Sequence, residues 1–345
     1  MKGYFYNLIT GERRVLLGPI LRPFLLLASL LFLACVRLRF FLYKARFMRS
    51  RGLPAPVISV GNITWGGTGK TPLVEAILSW LYDKGFTAVL LTRGYGKDED
   101  RVIASNMGHT RVISGERRLL NAINYCKENK ADIFVLDDGF QHFKIKRDID
   151  IVTVNAQSPF GNNMLLPAGF LREPLNAIKR ADIVVITKSD LVPRQRLAEI
   201  ISCVKDVSKD ILICRARHKP EFLLTDSGQN KPLEYIKNKR VTSVSALADN
   251  YSFAKTIENL GAEIVSSLFY IDHHRYTAGD VKKIIKSLND FHVNIVVTTE
   301  KDWVKLAPMV KGPIAGGIDF LVLRVKLEVE EDEIFYRRLS AVLPG

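Results

Sequence analysis

Short apolar runs separated by longer polar stretches are the main pattern of residues 55–214, and they predict an α/β fold. The runs are continuous rather than alternating, which is typical of parallel strands that are buried on both faces. The predicted strands are Pro56–Val60, Ala88–Thr92, Asp132–Asp138, Asp148–Val154 and Ala181–Thr187. The spacers between them are compatible with helices, so we expect a mostly parallel sheet flanked by helices, with ligands beyond the carboxyl ends of the strands.

A second, smaller α/β domain is predicted after Arg215, where the pattern changes. The polar segment Thr225–Lys231 is typical of a loop or linker. Beyond it the sequence predicts further βα-like units, with a strand at Val241–Ser245, a helix at Asn250–Leu260 and a strand at Asn294–Thr299. The predicted division of the chain is a stem at 1–50, a core at 51–214 and a second domain at 215–345.

The N-terminal stem carries an apolar run of thirteen residues, Phe24–Val36, which follows Arg22 and Pro23. The run is shorter than the ~20 residues that span a bilayer as a helix, and no A-x-A-like cleavage site follows it. Residues 1–51 hold ten Lys and Arg and one acid, so most of the chain's net charge of +14 belongs to the stem. We predict a helix that lies in one leaflet with its arginines on anionic head groups. A buried core helix is the alternative.

The cysteines and the charge distribution indicate the cellular compartment and bear on whether the protein binds nucleic acid. The four cysteines form no C-x-x-C pair and no zinc-like cluster with the histidines, which indicates a reduced, cytosolic compartment. Outside the stem the chain carries only a small excess of basic residues, which does not favour a basic groove for nucleic acid. We therefore predict no nucleic-acid partner.

A glycine-rich turn follows the first predicted strand, within the segment SVGNITWGGTGKTP at 59–72. A strand, a glycine turn and a helix in this order form a phosphate-binding loop, because backbone N–H groups and the helix N-terminus face the anion. Lys70 would supply a cation for the outer phosphates, and the hydroxyl of Thr71 would hold Mg²⁺. The match to G-x-x-x-x-G-K-[ST] is imperfect because Thr64 stands at the leading glycine. A glycine turn in an ordinary βα unit is the alternative.

Two adjacent acids, Asp137 and Asp138, end the third predicted strand. An acid at the end of a strand downstream of a phosphate loop is the usual Mg²⁺-side element of enzymes that bind nucleoside triphosphates. If the strand geometry continues to its end, the two carboxylates point to opposite faces, and one serves the metal. A single turn or helix-cap acid is the alternative.

Four further polar clusters leave their roles open. Composition alone assigns Lys97–Asp100 to a solvated loop, and Thr299–Asp302 is compatible with a turn at the end of a strand. Thr187–Asp190 weakly resembles the guanine-binding element of GTPases. Asp272–Tyr276 is either a surface turn or a site where a histidine pairs with a carboxylate.

Taken together, these residues resemble the tetraacyldisaccharide 4′-kinases of bacterial lipid A biosynthesis. The matching stretches, in chain order, are SVGNITWGGTGKTP (59–72), LTRGYG (91–96), LDDGFQH (136–142), KRDIDIV (146–152), LLPAGFLREP (165–174), RADIVVITKSD (180–190), YIDHHRY (270–276) and TEKDWVKL (299–306). The resemblance implies a P-loop kinase that transfers the γ-phosphate of ATP to the 4′-hydroxyl of a disaccharide bearing four acyl chains, with ATP and Mg²⁺ as cofactors.

The resemblance also implies a role for each matching residue. The nucleotide would be bound by Gly66, Gly67, Thr68, Gly69, Lys70 and Thr71, and Mg²⁺ by Thr71, Glu99 and Asp137. The catalytic residues would be Asp98 as the base, Lys70, and Asp138 paired with His273. The substrate would be bound by Arg93, His142, Arg172, Glu173 and His274.

The proposed base is the position at which this sequence departs most from the family pattern. Lys97 replaces the glycine of the family's G-D-E motif, Asp100 replaces its proline, and the usual insertion before the motif is shorter here. The register that assigns Asp98 is counted back from DDGFQH, and the alternative register places Glu116 in that role. The choice between His273 and His274 is also open.

The sequence as a whole predicts a membrane-associated kinase of a lipid A precursor at the cytoplasmic face of the inner membrane. Its expected partners are the acylated disaccharide and an anionic membrane surface, with no obligate protein partner. The alternative is a membrane-bound nucleotide switch of the ParA/MinD type, but Trp65 occupies the position of that group's signature lysine.

Overall fold

The computed structural model describes residues 18–94, 103, 107–108, 110–247, 249–272, 274–310 and 317–344. These residues divide into two compact units. The first comprises the described residues within Met1–Arg93, His109–Arg217 and Glu328–Gly345, and the second those within Gly94–Gly108 and His218–Leu327. The boundary near 217 lies close to the predicted one at 215, but the last segment of the chain returns to the first unit.

The first unit contains a parallel sheet with the strand order β7-β6-β5-β1-β4-β2-β3. Its strands are β1 (Val57–Gly61), β2 (Ala88–Thr92), β3 (Arg111–Ser114), β4 (Ile133–Asp137), β5 (Ile149–Asn155), β6 (Ile183–Thr187) and the first residues of β7 (Leu212–Thr225). All residues of β1, β2 and β6 are buried, as expected for strands covered on both faces. Strand β1 lies between β4 and β5, so the chain leaves its carboxyl end at a switch point where α/β sheets bind ligands.

The helices of the first unit are α1 (Gly18–Lys44), α2 (Lys70–Asp83), α3 (Arg118–Glu128), α4 (Arg194–Val207) and α8 (Asp332–Ser340). Helix α2 packs its apolar face on the central strands β1, β2 and β4. Five residues of this face are fully buried: Leu73, Val74, Ile77, Leu78 and Leu81. Their spacing of three and four residues places them on one side of the helix, so the phosphate-loop end of α2 is fixed by the core.

The second unit contains a sheet with the order β10-β9-β11-β12-β7, in which β9, β10, β11 and β12 pair in parallel. Its elements are β8 (Asn230–Lys231), β9 (Arg240–Ser245), α5 (Asn250–Asn259), β10 (Glu263–Phe269), α6 (Ala278–Asp290), β11 (Ile295–Thr299), α7 (Glu300–Leu306) and β12 (Asp319–Val329). The segment Thr225–Lys231, predicted as a loop or linker, contains a loop: it is the turn of a hairpin in which β8 pairs antiparallel with the end of β7.

Helix α1 is much longer than the apolar run that predicted it. It continues for 27 residues, through Pro23 and the first arginines after the run. Its span Leu21–Lys44 is long and apolar enough, by length and composition, to cross a membrane. The thirteen-residue apolar run is therefore only part of the helix, which the residues on either side of it extend.

Candidate functional site

The phosphate loop begins where β1 ends and leads into α2, as the sequence predicted. Gly66 and Gly69 have φ angles of 123° and 79°, in the left-handed range that glycine tolerates best. A Cβ atom at Gly69 would also make a tight contact of 3.1 Å with Cγ2 of Thr187, which adds to the preference for glycine that the backbone conformation sets. Gly69 is the N-cap of α2, and no side chain caps this helix end. The first backbone N–H groups of α2 are therefore available to an anion.

Hydrogen bonds from residues near the carboxyl ends of β5 and β6 hold the phosphate loop in place. The Thr68 side chain is buried and its hydroxyl lies 2.9 Å from Nδ2 of Asn62 and 2.7 Å from the hydroxyl of Thr153. The Thr187 hydroxyl donates to the Thr68 carbonyl at 2.9 Å. Because the Thr68 hydroxyl is engaged in the protein interior, the nucleotide-binding role predicted for Thr68 would fall to its backbone N–H.

Lys70 and Arg172 both approach the carboxylate of Asp138. The distance from Nζ of Lys70 to Oδ1 of Asp138 is 3.7 Å, and Nη1 of Arg172 donates to Oδ1 and Oδ2 at 3.0 and 3.1 Å. The three side chains are between 16% and 28% exposed, so the cluster is reachable from solvent but partly desolvated. The structure thus brings together three residues that the sequence assigned to the site from three separate motifs.

The backbone at Asp138 leaves the strand geometry. Strand β4 ends at Asp137, and Asp138 has a φ of 47°, a left-handed conformation that aspartate tolerates better than most residues. The expectation that strand alternation continues through both acids is therefore wrong, because the chain turns at Asp138. Oδ1 of Asp137 accepts the N–H of Asp138 at 2.9 Å, and Arg118 donates to the carbonyls of both acids.

The charge state of Asp138 follows from these neighbours. Burial disfavours its carboxylate form, but Lys70, Arg172 and Arg118 outweigh burial, and together they lower the pKa of Asp138 below its ordinary value. Asp138 is consequently an anion at neutral pH. It offers negative charge to the cations beside the phosphate loop and holds no proton to donate.

The residues predicted for the Mg²⁺ side fit a hard cation in their chemistry. Thr71 is the second residue of α2 and Asp137 is the last of β4, and both are half-buried with oxygen donors. Mg²⁺ is commonly held by one or two protein oxygens together with substrate phosphates and water. Among the residues that the structure describes, no three His, Cys, Asp or Glu side chains form a metal-binding cluster.

A loop that we call the LREP loop, Met164–Pro174, forms one wall beside the phosphate loop. Thr64 and Leu171 form a β-bridge between the two loops. The Trp65 N–H donates to the Phe170 carbonyl, and the Arg172 N–H donates to the Ile63 carbonyl, each at 2.7 Å. These bonds fix the backbone of Arg172 directly beside the entrance to the phosphate loop.

Glu173 and Arg180 form a buried ion pair at the end of the LREP loop. Glu173 is 3% exposed, and Nη2 of Arg180 lies 2.8 Å from Oε2 and 3.0 Å from Oε1. The Arg180 guanidinium also lies over the ring of Phe140, 4.4 Å from its centroid. The carboxylate of Glu173 is therefore engaged within the protein, and its contacts hold the loop to the segment after Asp138. A direct substrate contact by Glu173 stays a prediction.

His142, four residues after Asp138, has a neutral imidazole ring at neutral pH. Burial first, and then the charges of Arg118, Arg147, Lys144 and Arg39, lower the pKa of His142 to about 4. Its Nε2 atom is buried and has no hydrogen-bond partner among the described residues. The substrate-binding role predicted for His142 stays a prediction.

His274 belongs to a packed cluster in the second unit. Its Nε2 lies 3.0 Å from Oδ2 of Asp280, and its ring stacks on Tyr270 with the centroids 4.6 Å apart. Asp280 also closes the capping box of α6 with Thr277. Burial raises the pKa of Asp280, but the hydrogen bonds from His274 and Thr277 lower it to about 2. The contacts of His274 account for the start of α6, and its substrate-binding role stays a prediction.

Several predicted residues lie at the edge of the described chain or beyond it. Asp98, Glu99 and His273 are outside the described residues. Arg93 is exposed directly after β2, and Glu116 is exposed in the turn before α3. The choice between Asp98 and Glu116 as the base, and the pairing of Asp138 with a histidine, stay predictions.

Sequence reasoning missed the buried Arg118 and the half-buried Arg180 of the first unit. Neither has a spacing that distinguishes it from a solvated helix arginine. The only signal for Arg180 was its place at the start of the matching stretch RADIVVITKSD, and Arg118 had none. Arg118 holds the backbone at Asp137 and Asp138, and Arg180 holds the end of the LREP loop through Glu173.

The chain is similar to known proteins over nearly its whole length. A model of the LpxK family, tetraacyldisaccharide-1-P 4′-kinase, matches residues 21–344. A tetraacyldisaccharide 4′-kinase of Syntrophus aciditrophicus is 37% identical over 337 residues, covering 88% of this chain and 90% of the relative. A probable mitochondrial tetraacyldisaccharide 4′-kinase of Arabidopsis thaliana is 35% identical over 316 residues, covering 81% of this chain and 80% of the relative.

A solved structure supports the same relationship. The crystal structure of LpxK from Aquifex aeolicus in complex with ATP superimposes with a TM-score of 0.72 and 28% identity, covering 94% of this chain and all of that one. This match confirms the predicted α/β fold, and the matches together do not favour the ParA/MinD-type alternative. The chain belongs to the tetraacyldisaccharide-1-P 4′-kinase family.

Proposed function

We propose that this protein transfers the γ-phosphate of ATP to the 4′-hydroxyl of a tetraacylated glucosamine disaccharide. The observation that carries the proposal is the convergence of Lys70 and Arg172 on Asp138 beside a phosphate loop whose helix end is uncapped. Phosphoryl transfer depends mainly on positioning the phosphates and neutralising their charge. A site with backbone N–H donors, two cations and an ionised carboxylate supplies these requirements.

The nucleotide would lie with its phosphates on the loop from Gly66 to Gly69. The N-terminal N–H groups of α2 would face the phosphates, and Lys70 lies in the same first turn of the helix. Nζ of Lys70 lies 3.7 Å from Oδ1 of Asp138. A triphosphate would compete for the Lys70 ammonium, since phosphate oxygens carry more charge than one carboxylate. Arg172 would keep Asp138 in place.

Mg²⁺ would be held by the Thr71 hydroxyl and the Asp137 carboxylate, with Glu99 as a further ligand if the predicted register is correct. When bound, the cation neutralises charge that develops on the β- and γ-phosphates. Asp98 would accept the proton of the attacking sugar hydroxyl, with Glu116 as the alternative. These assignments rest on the family motifs and on the oxygen chemistry of Thr71 and Asp137.

The acylated substrate places the enzyme at a membrane surface, and we propose the cytoplasmic face of the inner membrane. Helix α1 contacts the first unit at Ser29 and again at Tyr43. These residues are about 21 Å apart along a helix, so α1 runs alongside the unit. A helix that spans the bilayer could not keep both contacts, so its outer apolar face would lie in one leaflet.

A phosphate-transfer assay with Lys70→Ala tests the proposal. Removing the ammonium should lower transfer from ATP to the lipid disaccharide by about 100-fold or more, the loss typical of a removed transition-state contact. Lys84→Ala is the matched control, because Lys84 is an exposed lysine at the other end of α2. Full transfer by Lys70→Ala would contradict the assigned loop, whereas a loss in the Lys84 variant as well would indicate general damage to α2.

A further inference from the structure

Helix α1 is fastened to the loop that carries Arg172, and we propose that Ser29 is a positioning residue for the phosphate-transfer site. This inference rests on the proposed function. It assigns to a residue of the membrane-facing helix a role in catalysis that is separate from membrane binding.

Ser29 is a buried polar residue in an otherwise apolar and exposed stretch of α1. It is 8% exposed, whereas its neighbour Leu30 is 63% exposed. Its Oγ atom accepts the N–H of Ala168 at 3.0 Å and lies 2.9 Å from the carbonyl oxygen of Leu165. It also lies 2.9 Å from the carbonyl oxygen of Leu25 in its own helix, to which its single proton can alternatively be donated. The hydroxyl thus joins α1 to the LREP loop as acceptor and donor.

The LREP loop transmits this attachment through its own backbone bonds. Leu166 and Leu171 are joined by an N–H to carbonyl bond of 2.9 Å, and the Leu171 N–H donates to Met164 at 3.0 Å. The next residue is Arg172, whose N–H is bonded to Ile63 at the start of the phosphate loop. Each step from Ser29 to Arg172 is therefore a hydrogen bond or a short stretch of fixed backbone, with no flexible side chain between them.

The second half of α1 attaches to the segment that carries Asp138. Nη2 of Arg39 donates to the Gln141 carbonyl at 3.1 Å. The rings of Phe40 and Tyr43 pack against Phe143, with centroids 6.2 and 5.2 Å apart. Both members of the Arg172–Asp138 ion pair are thus carried on segments attached to the same helix. Loosening either attachment would let the two charged groups move apart.

The test compares Ser29→Ala in the full chain with Cys35→Ala, a matched control on the exposed part of the same helix. We expect Ser29→Ala to lower kcat about five-fold, as the loss of a buried hydrogen bond that positions the reacting groups would. The KM for ATP and the binding to anionic phospholipid vesicles should stay at the wild-type values. Ser29→Thr keeps the hydroxyl and should retain most of the activity.

Hydrogen exchange followed by mass spectrometry gives a readout that does not need catalysis. Amides of residues 164–172 should exchange faster in Ser29→Ala than in the wild type or in Cys35→Ala. Equal kcat and equal exchange in the two alanine variants would overturn the inference. So would a Ser29→Ala variant whose vesicle binding falls in parallel with its activity, or a Ser29→Thr variant as impaired as Ser29→Ala. Absence of transfer by the wild type would count against the proposed function, while the exchange data would still decide whether Ser29 holds the loop.

Discussion

Three cationic side chains act on Asp138, and they explain how a carboxylate is kept ionised in a partly desolvated site. Lys70 and Arg172 approach its carboxylate oxygens, and Arg118 donates to its backbone carbonyl and to that of Asp137. The left-handed backbone at Asp138 turns the carboxylate out of the strand and toward the phosphate loop. Such a conformation in a residue other than glycine persists only where the surroundings fix it, and the bonds from Arg118 to both carbonyls do so.

The sequence singled out Lys70, Arg172 and Asp138, which the structure brings together, and missed Arg118 and Arg180, which hold the surrounding segments. Lys70 and Asp138 stand at fixed places in recognisable motifs, at a loop after one strand and at the end of another. Arg118 and Arg180 could not be found in this way, because buried and exposed arginines on a helix look alike in the sequence. Only the fold shows that the carbonyls of Asp137 and Asp138 and the carboxylate of Glu173 are bound by an arginine.

His142 should make stability depend on pH. Its pKa is about 4 in the folded protein and ordinarily 6.5, so the unfolded chain binds a proton that the folded chain does not. Its contribution is fully present above pH 6.5 and is lost as the pH falls toward 4. The free energy of unfolding should therefore fall by up to about 3 kcal/mol over that range because of this residue alone.

The measurement for His142 is denaturant unfolding at pH 4.5, 5.5 and 7 for the wild type and His142→Asn. The decline between pH 7 and 4.5 should be smaller in the variant. His292→Asn is the control, since His292 is an exposed histidine of the second unit. An identical decline in the wild type and His142→Asn would show that the buried ring has no such influence.

At the scale of elements, helix α1 shows what a hydropathy pattern can and cannot establish. The apolar run predicted a helix but not its ends, because the residues that flank the run continue the helix to Gly18 and Lys44. The pattern also did not reveal which face is buried, since the run is apolar all round. Ser29 is the exception, a polar residue whose burial marks the face on the protein.

The contacts of Ser29 also bear on how membrane binding should be tested. Deleting residues 1–36 would remove Ser29 along with the outer face of the helix, so losses of activity and of vesicle binding would be mixed. Substitutions confined to the exposed face separate the two effects. The large exposed apolar residues of α1 include Phe24, Leu27, Leu30, Leu31, Leu38 and Phe41.

A double substitution, Leu27→Glu with Leu31→Glu, should weaken binding to anionic vesicles by more than about 100-fold. The two leucines are 58% and 64% exposed, and burying each in a membrane should contribute about 1.5–3 kcal/mol. The added carboxylates also face anionic head groups. Leu120→Glu, at a leucine of α3 that is 47% exposed, is the control and should bind as the wild type does. Unchanged binding by the double variant would mean that α1 does not lie in the membrane.

The predicted bounds of the core strands agree well with the structure, because a continuous apolar run that ends in motif residues is the clearest sequence signal of a strand in an α/β sheet. Ala88–Thr92 matches its predicted bounds, and Ile133–Asp137 lies within the predicted run. Strand β3 was missed because it is short and partly exposed, with charged Arg111 at its start. The hairpin of β7 and β8 was missed because a polar turn and a polar linker have the same composition.

At the scale of the whole molecule, each unit has its own hydrophobic clusters, built around its strands. The first unit carries the phosphate loop, the Asp138 cluster and α1. The second carries the His274 cluster, whose described contacts support the start of α6. The sequence predicted two α/β parts, but it could not predict that the last helix returns to the first unit. In that helix, Tyr336 stacks on Trp80 of α2, a contact between distant parts of the chain that leaves no local pattern.

The central claim is that the phosphates of ATP lie on the glycine loop and that the terminal one passes to a lipid-linked sugar. The most direct measurement incubates the wild-type chain with γ-labelled ATP and the tetraacyl disaccharide in vesicles, and then locates the label in the lipid. We expect the label on the 4′-oxygen, with one ADP formed for each labelled lipid, and about 100-fold less labelled lipid or lower still with Lys70→Ala. Formation of ADP without labelled lipid, or a label at another position, would contradict the account.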